Sequence, residues 1–207
     1  MLNMKRREFI TLLGGAAAWP SAEVMEQTMT QSDDPGAVFD AHVHAEFVER
    51  DVEATMATMA DVPYVTHVPV LTGGYGRDEV RRFYTSYFVG RWPEDTQLKR
   101  ISRTIGQGRV IDEFVLSFTH NIEMPAMLPG IAPTGRKVEL PHVVVMGIEK
   151  GKVVYEHIYW DQGSLLAQVG LLDTAKLPVT GGEQARKLLD PKLPSNELID
   201  RAEQAKP

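Results

Sequence analysis

The sequence predicts an α+β fold in which a strongly curved antiparallel sheet is covered on one face by helices. Three observations predict it. Helical stripes dominate the first part of the chain, and four strands then follow in a row before a closing helix, an order that keeps helices and strands apart. Two of those strands, Gln97 to Thr104 and Val110 to Ile122, flank the turn Gly106-Gln107-Gly108; their lengths exceed the usual strand, so the sheet must bend. The last strand, Lys152 to Asp161, carries His157, Tyr159, Trp160 and Asp161 among its apolar residues. That is an unusual polar load for a core strand, and it points to a pocket.

Composition narrows the function. The chain has 207 residues, enough for one domain with tails, and its 43% hydrophobic and 24% charged content is ordinary for a globular protein. A net charge of -6 argues against nucleic acid as the main partner, because phosphate binding calls for a basic surface. The absence of cysteine removes disulfides, thiolate nucleophiles and Cys-ligated zinc together. No apolar run approaches the ~20 residues of a membrane-spanning helix. No motif requires a metal or a cofactor, so none is expected.

Residues 1–22 read as an export signal. Lys5-Arg6-Arg7 precede an uncharged run from Phe9 to Pro20, small residues follow at Ala16 to Ala18 and Ala22, and paired Arg6-Arg7 with Phe9 resembles a twin-arginine signal. A basic arm is the plainer alternative. If the signal is used the mature protein is periplasmic or exported, and otherwise cytoplasmic. Residues 23–37 are a polar linker that ends in Ser32-Asp33-Asp34-Pro35-Gly36.

The folded region begins with two helical stripes. Phe39, Val43 and Phe47 define the first, and Val52, Thr55, Met56 and Met59 the second, which is expected to run to Pro63. Asp40-Ala41-His42-Val43-His44 resembles the His-x-His motif of metal-dependent amidohydrolases. Here it lies on a helix, where positions two apart point to different sides, so His42 and His44 are expected at the surface or rim. A strand from Tyr64 to Leu71 places His67 as a pocket candidate or a satisfied core residue. Thr72 to Arg77 is a Gly-rich turn without phosphate-loop spacing. Asp78 is expected to cap a helix whose Val80, Phe83, Tyr84, Tyr87 and Phe88 fall at core spacing.

In the long second strand, alternation puts Asp112, Phe114, Leu116, Phe118 and His120 on one face, the expected interior. Glu123 follows at the strand end. Met127 to Arg136 is a stiff Pro- and Gly-rich loop with an apolar start, Met127-Leu128, as a lid over a cavity would have. Val138 to Ile148 is the next strand, with His142 beside Leu140 and Val144. Glu149-Lys150-Gly151-Lys152 is a tight hairpin turn into the final strand.

Leu128-Pro129-Gly130 with Pro133-Thr134-Gly135-Arg136, Gly151-Lys152-Val153, and Tyr159-Trp160-Asp161-Gln162 with Gln168 to Leu172 carry a family resemblance. From residue 38 to residue 172 the chain resembles the nuclear transport factor two-like superfamily, and within it the SnoaL-like branch of polyketide and ester cyclases. The resemblance implies a cone-shaped curved antiparallel sheet with N-terminal helices on its concave face, a small-molecule substrate and a homodimer formed through the open sheet face. Because the superfamily mixes isomerases, dehydratases, cyclases and binding modules, it implies a pocket more than a reaction. The pattern also looks like proteins called carboxymethylenebutenolidases; the Cys-His-Asp triad of the α/β-hydrolases so named has no counterpart here, and neither has a Gly-x-Ser-x-Gly elbow.

Cyclases and isomerases of the superfamily use a carboxylate in an apolar cone, where burial raises its pKa into the working range of a general base. Asp161, at a position resembling the family's strand-end aspartate, is the first candidate; an N-cap for the following helix explains it equally well. His157 and Tyr159 share its face, and Glu156, Ile158 and Trp160 share the other. Parity alone leaves open which face looks inward. His120 with Glu123 is a second acid-base candidate. His67, His142, Phe118, Trp160, Met127 and Leu128 are expected to line the substrate pocket. His120, His142 and His157 would make a metal site only if their strands adjoin. A cofactor-free enzyme acting on a cyclic or lactone-like carbonyl compound and a non-catalytic binding module of the same fold both remain open. In the extension, residues 173–207, Leu177-Pro178-Val179-Thr180-Gly181 matches a sorting pattern by chance, because no apolar span follows it.

Overall fold

The computed structural model describes residues 34–205. The export signal expected at 1–22 and most of the linker lie outside the described residues. Helix α1 spans Pro35–His44 and continues as a wider π-helical turn, Ala45–Glu49. Asp34 caps it by accepting the Gly36 N–H at 3.1 Å, and Pro35 sits at the first turn, where a missing N–H costs nothing. Arg50, in the left-handed conformation, ends the segment. Helix α2, Val52–Ala57, is capped by Asp51, which accepts from Glu53 N and Ala54 N.

Six strands form one sheet in the order β2-β1-β6-β5-β4-β3, curved and not closed into a barrel. Strand β1 is Met59–His67, β2 Thr72–Tyr75, β3 Gln97–Gly106, β4 Arg109–Thr119, β5 Lys137–Glu149 and β6 Lys152–Trp160. The architecture is the α+β fold expected, with two differences. The sheet is not wholly antiparallel, since β1 runs parallel to β6. The Gly-rich turn is also partly a strand: Gly73, at φ 138°, pairs with Thr66, and a Cβ there would lie 2.0 Å from the Val65 carbonyl oxygen.

The second helical stripe stops at Ala57, and β1 starts at Met59. Pro63 disfavours helix at Val62, and parallel pairing with β6 rewards the extended form. Helix α3, Gly76–Phe83, starts two residues before Asp78; Glu79 instead accepts the Tyr75 N–H. It too ends in a π-helical turn, Tyr84–Phe88. At the β5–β6 hairpin, Lys150 and Gly151 take φ of 50° and 69°, as a two-residue primed turn requires. Helix α4, Gln162–Gln168, closes the cone region; α5, Glu183–Leu189, packs on β5; and α6 is Glu197–Gln204.

Candidate active site

The concave face of the sheet encloses a cavity of about 340 Å³. Its floor comes from alternate residues of five strands, among them Val65 and His67, Glu156, Ile158 and Trp160, His142 and Val144, Asp112 and Phe114, and Leu98 and Arg100. Helix α1 and its π turn supply Phe39, Val43, Glu46 and Phe47, and the α3 segment supplies Phe83, Tyr84 and Phe88. Both π turns therefore contribute a polar group to the wall, Glu46 and Tyr84. An inserted residue in a helix rotates the following side chains, and such turns recur at functional sites.

The polar centre is a buried cluster of His42, Glu46, Glu156 and Tyr84. His42 Nε2 lies 2.7 Å from Glu156 Oε1 and 3.2 Å from Glu46 Oε1. The Tyr84 hydroxyl donates to Glu156 Oε1 at 3.2 Å. On the other side of the ring, Nδ1 meets Thr58 Oγ1 at 2.5 Å, and that hydroxyl spends its own proton on the Thr55 carbonyl. Nδ1 must therefore be the donor, and Nε2 can bond the ionised Glu156 only as a protonated imidazolium. Burial opposes that charge, but Glu156 and Glu46 outweigh it and hold His42 at a pKa of about 10.

The two carboxyls are pushed apart. Burial and the neighbouring Glu156 charge raise Glu46 above the usual carboxylate range. Burial works against the Glu156 carboxylate as well, but the His42 cation and the Tyr84 hydroxyl bond overcome it and hold Glu156 below that range. Tyr84 is raised by burial and by both carboxylates, so it keeps its proton.

His42, Glu46 and Glu156 are also the set among the described residues whose ligand atoms lie within 4.8 Å of one another. Glu156 and Glu46 favour a proton on His42, and a cation would have to displace that proton to bind there.

Two further histidines face the cavity. His67 and His142 are each 4% exposed, and burial pushes their pKa values to about 3 and about 4. At one mouth, Asp112 is bonded by Arg100 at 3.1 Å and by Arg103 at 2.5 Å, and Asp40 joins the same two guanidiniums. These partners hold Asp40 low and Arg103 high.

The expected site residues divide sharply. Trp160, His67, His142 and Met127 line the cavity. Phe118 and Leu128 are buried in the core beside it. The face carrying His157, Tyr159 and Asp161 is the convex one: His157 lies against Tyr64 and Tyr155, and Tyr159 is 43% exposed. Asp161 sits at the helix cap, accepting from Ser164 N at 3.1 Å and from Gln184 Nε2 at 2.6 Å. Glu123 is exposed on the loop. His120, fully buried, pins the two ends of the 120–136 loop: its backbone bonds Arg136, Thr134 and Gly135, and its Nδ1 meets Thr134 Oγ1. The expected lid is thus a fixed cover, held also by Thr72 Oγ1 to Ala126 O at 2.7 Å. His120, His142 and His157 do not converge.

His42 corrects a sequence expectation. It is wholly buried rather than at the rim, while His44 is exposed. Positions two apart do face different sides, as helical geometry requires. The signal that could have been read was the i, i+4 pair His42 and Glu46, which share a face.

A family model described as a SnoaL-like domain matches residues 18–156, more than half of the chain, and the chain belongs to that family. No curated protein matches it. Among solved structures, an NTF2-like protein of unknown function from Burkholderia pseudomallei K96243 is 19% identical, with a TM-score of 0.52, covering 69% of this chain and 99% of that one. A putative polyketide cyclase from Xanthomonas campestris is 20% identical at a TM-score of 0.53, covering 65% of this chain and 96% of that one. A putative SnoaL-like polyketide cyclase from Jannaschia sp. CCS1 is 14% identical at a TM-score of 0.53, covering 71% and 99%. These likenesses carry the cone fold.

Proposed function

We propose that this chain is an enzyme that moves protons on a small cyclic or lactone-like carbonyl compound without a cofactor, a cyclase, isomerase or lactone hydrolase in type. The observation that carries this reading is the pair of buried carboxyls, Glu46 and Glu156, on one cavity wall with their protonation driven in opposite directions. Two carboxyls so separated supply an acid and a base at one pH.

Both hydrogen bonds of Glu156 fall on Oε1, leaving Oε2 to take a proton from the carbon beside a substrate carbonyl. The Glu46 carboxyl in its protonated form faces the same space and donates to the enolate oxygen that develops, while the Tyr84 hydroxyl keeps its proton on Glu156 Oε1. Returning the proton to another carbon isomerises the substrate, and delivering the carbanion to a carbonyl carbon closes a ring. His42 touches no substrate; it is a positioning residue that keeps Glu156 ionised. Each proton-transfer group contributes about 10²–10⁴-fold.

Deuterium incorporation into β-keto compounds and aromatic lactones in D₂O tests this. Wild type exchanges the acidic C–H, and Glu156→Gln and Glu46→Gln each lose about a hundredfold or more. Equal exchange in all three proteins sinks the acid-base reading; a ligand bound by wild type without any exchange assigns the cavity to binding alone.

The same reading takes a second copy of the chain as partner. Tyr64, Tyr155 and His157 stack in a continuous aromatic patch on the convex sheet face, with Tyr75 and Tyr159 exposed beside them. Exposed apolar patches of this kind mark interaction sites, and a self-complementary patch gives a twofold dimer. Sedimentation should show a dimer that Tyr155→Glu dissociates; a monomeric wild type contradicts it.

A further inference from the structure

His67 and His142 are not used by the proton transfers above, yet both rings line the cavity. Their tautomers follow from their outer partners. His67 Nδ1 lies 3.0 Å from Thr72 Oγ1, whose proton is committed to the Ala126 carbonyl at 2.7 Å, so Nδ1 must donate. His142 Nδ1 lies 3.0 Å from the Leu140 carbonyl, which can only accept, so it too must donate. Each ring is packed by aromatics: His67 by Phe83, Phe88 and Trp160, and His142 by Phe114 at 13° and Trp160 at 28°. In that surrounding a second proton is strongly disfavoured. Neither Nε2 has a hydrogen-bond partner among the described residues.

The register fixes where these atoms stand. On β6 the cavity row runs Glu156, Ile158, Trp160; His67 is opposite Ile158 on one side, and His142 is opposite Trp160 on the other. β1 and β5 are two strand spacings, about 10 Å, apart and the two positions are offset by one two-residue step of about 7 Å, so the backbones stand roughly 12 Å apart; each ring centroid lies 5.5 Å from that of Trp160, beyond Glu156 along the strand.

We propose that His67 and His142 are specificity-determining residues: two uncharged Nε2 acceptors, one on each side of Trp160, that select a flat neutral ligand bearing two hydroxyl donors at the end away from its reacting carbonyl. The inference rests on the reading of this cavity as a small-molecule site, and it is independent of whether Glu156 turns the ligand over. The discrimination comes from the cost of leaving a buried acceptor unpaired. A hydroxyl satisfies each Nε2, whereas a methyl ether presents only acceptors and a methyl group.

Calorimetric titration with naphthalene-2,7-diol and with 2,7-dimethoxynaphthalene tests it, since binding is read without turnover. Wild type should bind the diol at least tenfold more tightly than the diether. His67→Gln and His142→Gln, which place an amide oxygen near the Nε2 position, should keep most of that ratio; His67→Phe and His142→Phe should each reduce it severalfold. A wild-type ratio near one, binding of neither probe, or an undiminished ratio in both Phe variants overturns the proposal. Should a Phe variant fail to fold, the wild-type ratio alone decides. Loss of deuterium exchange with the ratio intact condemns the acid-base reading and leaves this inference standing.

Discussion

Strand β6 presents an ionisable and an aromatic side chain on each of its two faces. Its concave face carries Glu156, Ile158 and Trp160 and its convex face Tyr155, His157 and Tyr159, so acid, imidazole and aromatic groups appear within one residue of each other on opposite sides. On the concave face Glu156 is 5% exposed and in contact with His42 and Tyr84, and those neighbours shift its proton affinity. On the convex face His157 packs at a tilt against Tyr64 and Tyr155, with no carboxylate partner among the described residues. Both faces carry ionisable and aromatic groups, and enclosure separates their behaviour, because a charge pair acts strongly only where water is excluded.

Substitutions sharpen that contrast. The largest effect belongs to Glu156. Glu156→Gln should lower deuterium exchange about 10²–10⁴-fold and destabilise the fold by about 3–5 kcal/mol, since it leaves the His42 cation buried beside a weaker partner. Tyr159→Phe, three residues on and facing out, should leave both unchanged within about twofold. Chemical denaturation and exchange on the same preparations check this. Glu46→Gln comes next. If Glu46 donates a proton and Glu156 accepts one, as proposed, the substitution should cost about a hundredfold in exchange and remove the alkaline limb of a bell-shaped pH profile.

The pH dependence of stability separates the cavity histidines. His42, raised to about 10 by the facing Glu156 and Glu46, contributes stability that is complete below its unfolded value of 6.5 and lost as pH rises through about 10. His67 and His142, lowered to about 3 and about 4, act the other way: the unfolded chain takes up protons below 6.5, and stability falls as pH drops toward those values. Melting temperature should therefore peak near neutrality. His42→Gln should flatten the alkaline slope and His142→Phe the acid one; unchanged slopes would contradict both assignments. The smallest effect is at the other end of the strand. Asp161→Ala removes a helix cap and should cost about 1 kcal/mol with exchange intact.

The fold was legible because it is written in periodicity and turns: four long strands, a Lys150-Gly151 hairpin and an aromatic helix stripe survive reading one residue at a time. The site was legible in half. Alternation grouped His67 with Val65 and His142 with Leu140 and Val144, yet it cannot say which parity of β6 faces inward, so the sequence offered Asp161 where the cavity wall presents Glu156. The reason is that inward and outward faces of this sheet are both rich in aromatics. His42 and Glu46 were hidden for another reason. A charged pair on an amphipathic helix reads as solvent-facing until the sheet carboxylate that buries it is known, and Glu156 lies 114 residues along the chain from His42. The His-x-His motif drew attention to the right residue through the wrong spacing.

The proposed chemistry turns on the opposed protonation of Glu46 and Glu156. Carbon-13 NMR titration of protein labelled at the glutamate carboxyl carbon measures it directly, with the two resonances assigned by Glu46→Gln and Glu156→Gln. One buried carboxyl, that of Glu46, should titrate above the ordinary glutamate range and the other, that of Glu156, below it. Coincident titrations in the ordinary range, or Glu156 titrating above Glu46, would contradict it.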